Sequence, residues 1–457
     1  MTDAERTSLH VIILAAGQGT RMRSALPKVL HALAGRPLLQ HVVETASRLN
    51  PAGIHVVHGH GGETVRTALS GASVTWVEQS EQLGTGHAVQ QALPAIPDEA
   101  LVLILYGDVP LVRADTMAEL VAAVDDGPAV LTVNLPDPSG YGRIVRDEQG
   151  FVERIVEHKD AAPGELALHE TNTGLLAAYA GRLRTWLQRC SNDNAQGEYY
   201  LTDVVALARG DGCRVRAARA SDPAEVAGVN DRVQLQAAER AYQHRQAETL
   251  MRDGLALMDA GRFDLRGELS FGRDCSIDIG VVMEGRVVLG ADVRIGAYTV
   301  LKDVVIDDGA RIDCHCVLEQ ARVGRNARVG PYARLRPGAE LQEDARAGNF
   351  VEIKQAVIGP GSKVNHLSYI GNAVLGGDVN VGAGTITCNY DGVAKHRTTI
   401  GDGAFIGSGT QLVAPVTVAP GSVLGAGTVL TRDTEADSLT ITRAPQKSVP
   451  GWARRRR

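Results

Sequence analysis

Aromatic side chains are scarce in this chain, at 4% of residues, and no apolar run is long enough to enter a bilayer. The first such run, Val11 to Ala16, falls far short of the roughly 18–20 residues a membrane span requires. The N-terminus has no leader pattern, so a cytoplasmic protein without stable membrane association is expected. Cysteine is sparse too. Six residues without framework spacing exclude a disulfide scaffold and suit a reducing compartment. Neither sign of charge dominates, with 47 Lys+Arg against 53 Asp+Glu, so nothing global favours nucleic acid or anionic lipid as a partner. Cys314-His315-Cys316 has no second ligand pair nearby and is read as ordinary side chains rather than a metal site. The basic run at 454–457 is read as a solvated end.

Glycine, by contrast, is plentiful, at 51 of 457 residues. Many glycines with few aromatics predict close-packed turns rather than a large aromatic core. The length exceeds one ordinary core and predicts two or three domains.

The first half alternates apolar runs with helical patterns. Val11–Ala16 and Leu101–Tyr106 are continuous apolar runs, as in strands buried on both faces. Helices are expected over 38–50 and leading through 82–93, and a strand over 54–58. This pattern predicts an α/β domain with a Rossmann-like, mostly parallel sheet. Residues 231–253 are polar, lack proline and precede Gly254, so one long helix is expected there. The expected division is a domain at 1–232, a linker helix at 233–253 and a second domain at 254–457.

The second half repeats every six residues. Ile400, Ile406, Leu412, Val418, Leu424 and Leu430 keep this step, as do Val323, Val329, Leu335 and Leu341, and many are followed by Gly. Neither a helix nor an alternating strand has this period. It predicts a left-handed parallel β-helix of hexapeptide repeats, whose aliphatic residues point into a narrow axis. The repeat slips between Val381 and Ile400, where Thr387-CNYDGVAKHR must bulge as a loop.

Chemistry-bearing residues cluster in turns. Leu14-AAGQGTRM places Gly17 and Gly19 directly after the first strand, where free backbone N–H groups bind phosphates. The loop lacks the third Gly of a dinucleotide fingerprint and the Gly-Lys-Ser/Thr of a P-loop, and it also fits a plain turn. Arg21 and Lys28 add cations. Tyr106-Gly107-Asp108 closes the second strand, where a carboxylate suits either a phosphate-bound divalent metal or a turn. Gln79 and Leu83-Gly84-Thr85 offer amide and backbone groups to a base edge. In the second half, His366 within Lys363-VNHLSY is the histidine best surrounded by polar residues, although a lone histidine is more often structural.

The ordered series Leu14-AAGQGTRM, Gln79…Leu83-GTGHA, Tyr106-GDVPL, Gly140-YGRI, Glu170-TNTG and Gly228-VN resembles sugar-1-phosphate nucleotidyltransferases. With the hexad half, the chain from about Val11 to Trp452 resembles the bacterial family of bifunctional N-acetylglucosamine-1-phosphate uridyltransferases/glucosamine-1-phosphate acetyltransferases. The resemblance implies that Leu14, Ala15, Ala16 and Gly17 hold UTP phosphates, with Arg21 and Lys28 as catalytic cations. Gln79, Gly84 and Thr85 would read uracil. Tyr106, Gly107 and Asp108 would line the nucleotide-sugar site, and Gly142, Glu157 and Asn172 would hold the sugar. Asp108 and Asn230 would bind Mg²⁺. In the second domain His366 would be the general base, supported by Glu352. Arg336, Lys354, Tyr369 and Asn380 would bind glucosamine 1-phosphate. Ala383, Asn389, Tyr390, Ser408, Ala426 and Arg443 would bind acetyl-CoA. A homotrimer is implied, with sites between subunits. Asn372 departs from the family pattern, in which Asp is expected after Gly371. The competing expectation is a single-activity nucleotidyltransferase carrying a non-catalytic β-helix for assembly.

Overall fold

The structure is a computed structural model. It describes residues 8–17, 19–59, 62–194 and 196–452, so the basic tail at 454–457 and Gln18 of the Gly-rich turn lie outside the described residues. The chain forms two compact units, Met1–Tyr242 and Gln243–Arg457.

The first unit is built on β1 (Leu9–Ala15), β2 (Gly53–His58), β3 (Thr75–Glu78), β4 (Leu101–Tyr106), β5 (Ala129–Asn134), β6 (Arg143–Arg146), β7 (Val152–Val156), β8 (Glu170–Tyr179) and β9 (Arg216–Arg219). The sheet order is β9-β5-β8-β4-β1-β2-β3, with β6 and β7 as a hairpin beside β8. β4, β1, β2 and β3 run parallel, and β8 is antiparallel to both its neighbours. The two runs expected to be central are adjacent, paired from Leu9↔Leu101 to Leu14↔Tyr106. Successive residues face opposite sides. Val11, Ile13, Leu103 and Leu105 enter one core with α1 (Leu38–Ser47), while Ile12, Val102 and Ile104 enter the other with α2 (Thr85–Ala92). The chain leaves β1 toward β2 on one side and returns to β4 on the other. Strand order therefore reverses between β1 and β4, and a crevice opens at their carboxyl ends.

The long helix forms as α3 (Arg232–Arg252). It is shared between the units rather than standing between them as a separate linker. Leu235, Ala238, Ala241 and Tyr242 pack with Leu33, Leu38 and Val229 of the first unit. Ala247 belongs to the core of the second, and the Gln243 amide both accepts from Leu265 N (2.8 Å) and donates to Leu265 O (3.0 Å).

The second unit winds as a parallel β-helix with three ladders. One passes through Ile295, Ile312, Val329, Ala347, Val364, Val381 and Ile406; a second through Leu318, Leu335, Ile353 and Ile370; a third through Ile306, Val323, Leu341, Ile358, Leu375 and Ile400. The hexad residues named from sequence are all buried to 3% exposure or less, as axis-facing side chains must be. Most coils take 17 or 18 residues, but Val381 pairs Ile406, a step of 25 that contains the expected loop. Thr387 replaces an aliphatic residue in the axis there, and its hydroxyl accepts from Gly371 N (2.7 Å) and donates to Gly371 O (3.0 Å).

One corner of the helix changes character along its length. Tyr298, His315, Tyr332 and Phe350 occupy equivalent corner positions at φ 56°, 58°, 56° and 57°, with rings stacked 4.9–5.4 Å apart. Leu367 continues the series, and then Gly384, Gly409 and Gly427 take over, also at positive φ. Left-handed backbone is costly for bulky side chains and free for glycine.

Candidate functional site

The crevice at the carboxyl ends of β1 and β4 holds a cavity of about 630 Å³. Its wall includes Leu14, Ala15, Ala16, Gly17, Lys28, Gln79, Gly84, Thr85, Tyr106 and Asp108, so the structure brings together nearly all the residues expected to bind nucleotide. Gly19 sits at φ 60°, and a Cβ there would come within 2.6 Å of Lys28 Cβ, so glycine lets the loop close over Lys28. Gly107 is buried behind the cavity against Leu39, Val29 and Ala15.

Lys28 Nζ is the electrostatic centre. It donates to the carboxylate of Asp108 and to Asn230 Oδ1 (3.0 Å), although these residues come from distant turns. Val229 N donates to Asp108 O (2.8 Å) and fixes the second turn against the first. Two oxygens thus converge on one positively charged atom. That is the donor set of a hard divalent cation that takes its remaining ligands from phosphate and water, so the pair fits Mg²⁺. No group of three or more His, Cys, Asp or Glu capable of holding a metal occurs among the described residues.

Gln79, nearly buried, spends its amide N–H groups on Gly84 O (3.1 Å) and His87 Nδ1 (3.1 Å) and thereby pins the turn that opens α2. Tyr106 has its phenol pushed well above its ordinary pKa, first by burial and then by the Asp108 charge, while a hydrogen bond to Thr85 opposes the shift. It remains a neutral hydroxyl.

A second cavity, about 410 Å³, shares Thr85, Tyr106 and Glu198 with the first and contains Glu157 and Asn172. Gly142 lies behind it, and its carbonyl accepts from Asn172 N (2.9 Å). Burial, then the charges of Asp160 and Asp203, raise the Glu157 carboxyl above its usual range. Arg21 is not brought in. It lies exposed on the turn Thr20–Met22 and lines neither cavity. Glu198, Gln82 and Tyr200 line these cavities without having been expected. Gln82, whose amide donates to Ala16 O (2.8 Å), sits inside the 79–87 motif, which was the available signal.

In the β-helix, His366 is exposed on the corner described above. Successive coils place Ala297, Cys314, Pro331, Asn349, His366, Ala383, Ser408 and Ala426 along that edge, linked by backbone hydrogen bonds such as Leu367 N to Asn349 O and Gly409 N to Ala383 O. Arg443 Nη1 donates to Ala426 O (2.9 Å). Ala383, Ser408, Ala426 and Arg443, expected at one ligand, therefore do form one line, and it runs beside the glycine part of the corner. A Cβ at Gly427 would meet nothing within 4 Å, so this stretch is an open trough.

The amino-sugar set divides between two faces. Asn380 stacks on Lys363 in one ladder, while Tyr369 stacks on Glu352 in the next, and Arg336 and Lys354 lie in that second ladder's coils. Arg336 Nη1 donates to Glu352 Oε1 (2.8 Å). Glu352 is thus bonded to this arginine, and the side chain in contact with the His366 ring is Asn349, which sequence reading missed. Lys395, one of the polar residues that marked the 389–396 loop in the sequence but was given no ligand there, joins this set. Its ammonium lies near Lys354, and this neighbouring cation, followed by that of Arg336, lowers the Lys354 pKa.

Asn389 is almost buried, and its amide donates to Asn372 Oδ1 (2.6 Å), while Asn372 Nδ2 donates to Gln355 Oε1 (3.2 Å). Asn372 thus joins three coils as both donor and acceptor, which a carboxylate cannot do. Tyr390 is exposed beside it on the loop. At the Cys-His-Cys run, burial pushes the Cys316 thiol up to about 11, and His315 is stacked outside between two tyrosines, an arrangement unsuited to metal.

Residues 11–252 match the MobA-like NTP transferase domain, and residues 397–432 match the bacterial transferase hexapeptide (six repeats). The chain is 61% identical to the bifunctional protein GlmU of Alkalilimnicola ehrlichii over 98% of this chain and 96% of that protein. It is 56% identical to the bifunctional protein GlmU of Marinobacter nauticus over 98% of each. Among solved structures, UDP-glucose pyrophosphorylase complexed with UDP-glucose is matched at TM-score 0.43 and 16% identity over 52% of this chain and 100% of that one. With a nucleotide-sized crevice in one unit, a hexapeptide-repeat corner carrying a histidine in the other, and relatives this similar along nearly their whole length, the chain belongs to the bifunctional GlmU family of transferases.

Proposed function

We propose that the β-helix unit acetylates glucosamine 1-phosphate with acetyl-CoA, and that the α/β unit then transfers UMP from UTP to N-acetylglucosamine 1-phosphate, releasing pyrophosphate. The observation that carries the second reaction is the convergence of Lys28, Asp108 and Asn230 at the switch-point crevice. The attacking phosphate is already anionic, so no protein nucleophile is needed. The task is to align it with the α-phosphorus and neutralise developing charge. Lys28 supplies fixed positive charge at this point. Asp108 and Asn230 would hold Mg²⁺, which when bound supplies further neutralisation of the phosphates. Gln79, with its N–H groups already committed, presents a carbonyl oxygen suited to uracil N3–H. Glu157 and Asn172 face the sugar hydroxyls in the adjoining cavity.

For acetyl transfer, His366 takes a proton from the amine. The C–N bond forms, the thioester C–S bond breaks, and the departing thiolate is protonated in turn. Acetyl-CoA lies along the Ala383–Arg443 line, and Arg336, Lys354 and Lys395 take the sugar phosphate. Asn380 and Tyr369 stand on different faces of one corner, which supports a trimer in which a neighbouring copy completes each site. The six free thiols suit the reducing cytoplasm, where both acyl and nucleotide donors are made.

Two assays test the reading on the full chain. Thiol should be released from acetyl-CoA only with glucosamine 1-phosphate, and pyrophosphate from UTP only with N-acetylglucosamine 1-phosphate. Pyrophosphate release without any thiol release would leave the β-helix as an assembly module.

A further inference from the structure

This inference rests on His366 acting as the base and concerns what makes its ring fit for that role. A neutral imidazole is a base only through the nitrogen that carries no proton. His366 Nδ1 lies 2.8 Å from Asn349 Oδ1. A carboxamide oxygen can only accept, so Nδ1 carries the proton and the lone pair is left on Nε2. We propose that Asn349 is the positioning residue of acetyl transfer, fixing both the tautomer and the rotation of the His366 ring.

The winding of the chain explains how it does so. Asn349 and His366 pair directly across adjacent coils of one ladder, and Leu367 N donates to Asn349 O. On the other side of His366 the same corner position is Ala383, which has no side-chain acceptor. Ser368 Oγ donates to the His366 carbonyl (2.8 Å), holding the backbone rather than the ring. Glu352, the carboxylate of the next strand, is bonded to Arg336. The ring therefore has one side-chain partner among the described residues, and that partner is neutral. A carboxylate in the place of Asn349 would raise the histidine pKa and hold the base protonated nearer neutral pH.

The test uses the full-length protein in three variants, with thermal unfolding of the β-helix unit and KM for acetyl-CoA as the folding controls. Asn349→Ala should lower kcat for acetyl transfer by about 10- to 100-fold, the usual scale for a group that orients a functional histidine, with KM for both substrates little changed. Asn349→Asp should recover much of that kcat at high pH while moving the acidic limb of the kcat/KM profile to higher pH. Wild-type kcat in Asn349→Ala overturns the proposal. So does an unmoved acidic limb in Asn349→Asp, since a merely structural asparagine predicts no shift. His366→Ala separates the two levels of the argument: if it keeps acetyl transfer, the reading of His366 itself fails, whereas if it loses acetyl transfer and the Asn349 variants do not, only the positioning role fails.

Discussion

Lys28 reaches across the crevice to Asp108 and Asn230, and the charge balance of the first unit's site depends on that triangle. Removing the carboxylate leaves Lys28 without its anionic partner and takes away the carboxylate proposed to hold a divalent cation. Asp108→Asn is expected to lower uridyl transfer by about 10² or more, the scale of losing one preorganised electrostatic group. Acetyl transfer should be unchanged, and parallel assays of the two half-reactions check this. A second residue-scale expectation concerns His10 and His55, whose rings stack at the amino ends of β1 and β2 with Nδ1 of one 3.2 Å from Nε2 of the other. Burial lowers both pKa values, and the neighbouring charge lowers His55 further. His55 Nδ1 has no partner among the described residues. Because the folded pKa lies below the unfolded value of about 6.5, the unfolded chain binds more protons as pH falls below it. The pair's stability is therefore full at pH 7.5 and is lost progressively in acid. His55→Gln should narrow the gap in Tm between pH 7.5 and pH 5.5, by about 2–4 °C for each kcal/mol of proton linkage removed. An equal gap in both proteins would show that the pair is not linked to folding.

At the scale of elements, the corner that passes from aromatic residues to glycines sets where a long thin ligand can lie. Gly409 stands beside Ser408 in the trough, at φ 74°, and a Cβ there would take space from the open edge. Gly409→Val is expected to raise KM for acetyl-CoA by about tenfold or more and to destabilise the coil by about 1–2 kcal/mol through its left-handed backbone. Titration of the acetyl-transfer rate against acetyl-CoA checks this, and Phe350→Ala, on the aromatic part of the same corner, should leave that KM unaffected. The hexad period was legible because each axis-facing side chain must be aliphatic, and the β1–β4 crevice because Gly-rich turns follow continuous apolar strands. The corner was not legible. Positive φ at Tyr298, Tyr332 and Phe350 leaves no trace in residue type, since these side chains ordinarily avoid it. Asn349 was missed for another reason: 17 positions separate it from His366, and only the completed winding stacks the two. The sharing of α3 was hidden because a polar helix does not reveal which of its small residues will meet which core. Glu352 was expected to support His366 only through the family resemblance; in the structure it stands in a different ladder, where it accepts from Arg336.

At the scale of the whole molecule, the two sets of chemical groups lie in separate compact units, each with its own core. Asp108 belongs to the first unit and His366 to the second, so damage to one should not propagate to the other. The acetylated intermediate is the acceptor proposed for the uridyl site, and it is small enough to diffuse. Neither Asp108→Asn nor His366→Ala alone should then produce UDP-N-acetylglucosamine from glucosamine 1-phosphate, acetyl-CoA and UTP. An equimolar mixture of the two variants should produce it, after a lag during which N-acetylglucosamine 1-phosphate accumulates in solution, and added pyrophosphatase should not shorten that lag. If each variant keeps its one half-reaction and the mixture still makes no nucleotide sugar, the intermediate must pass within a single chain, and the independence of the two units is wrong.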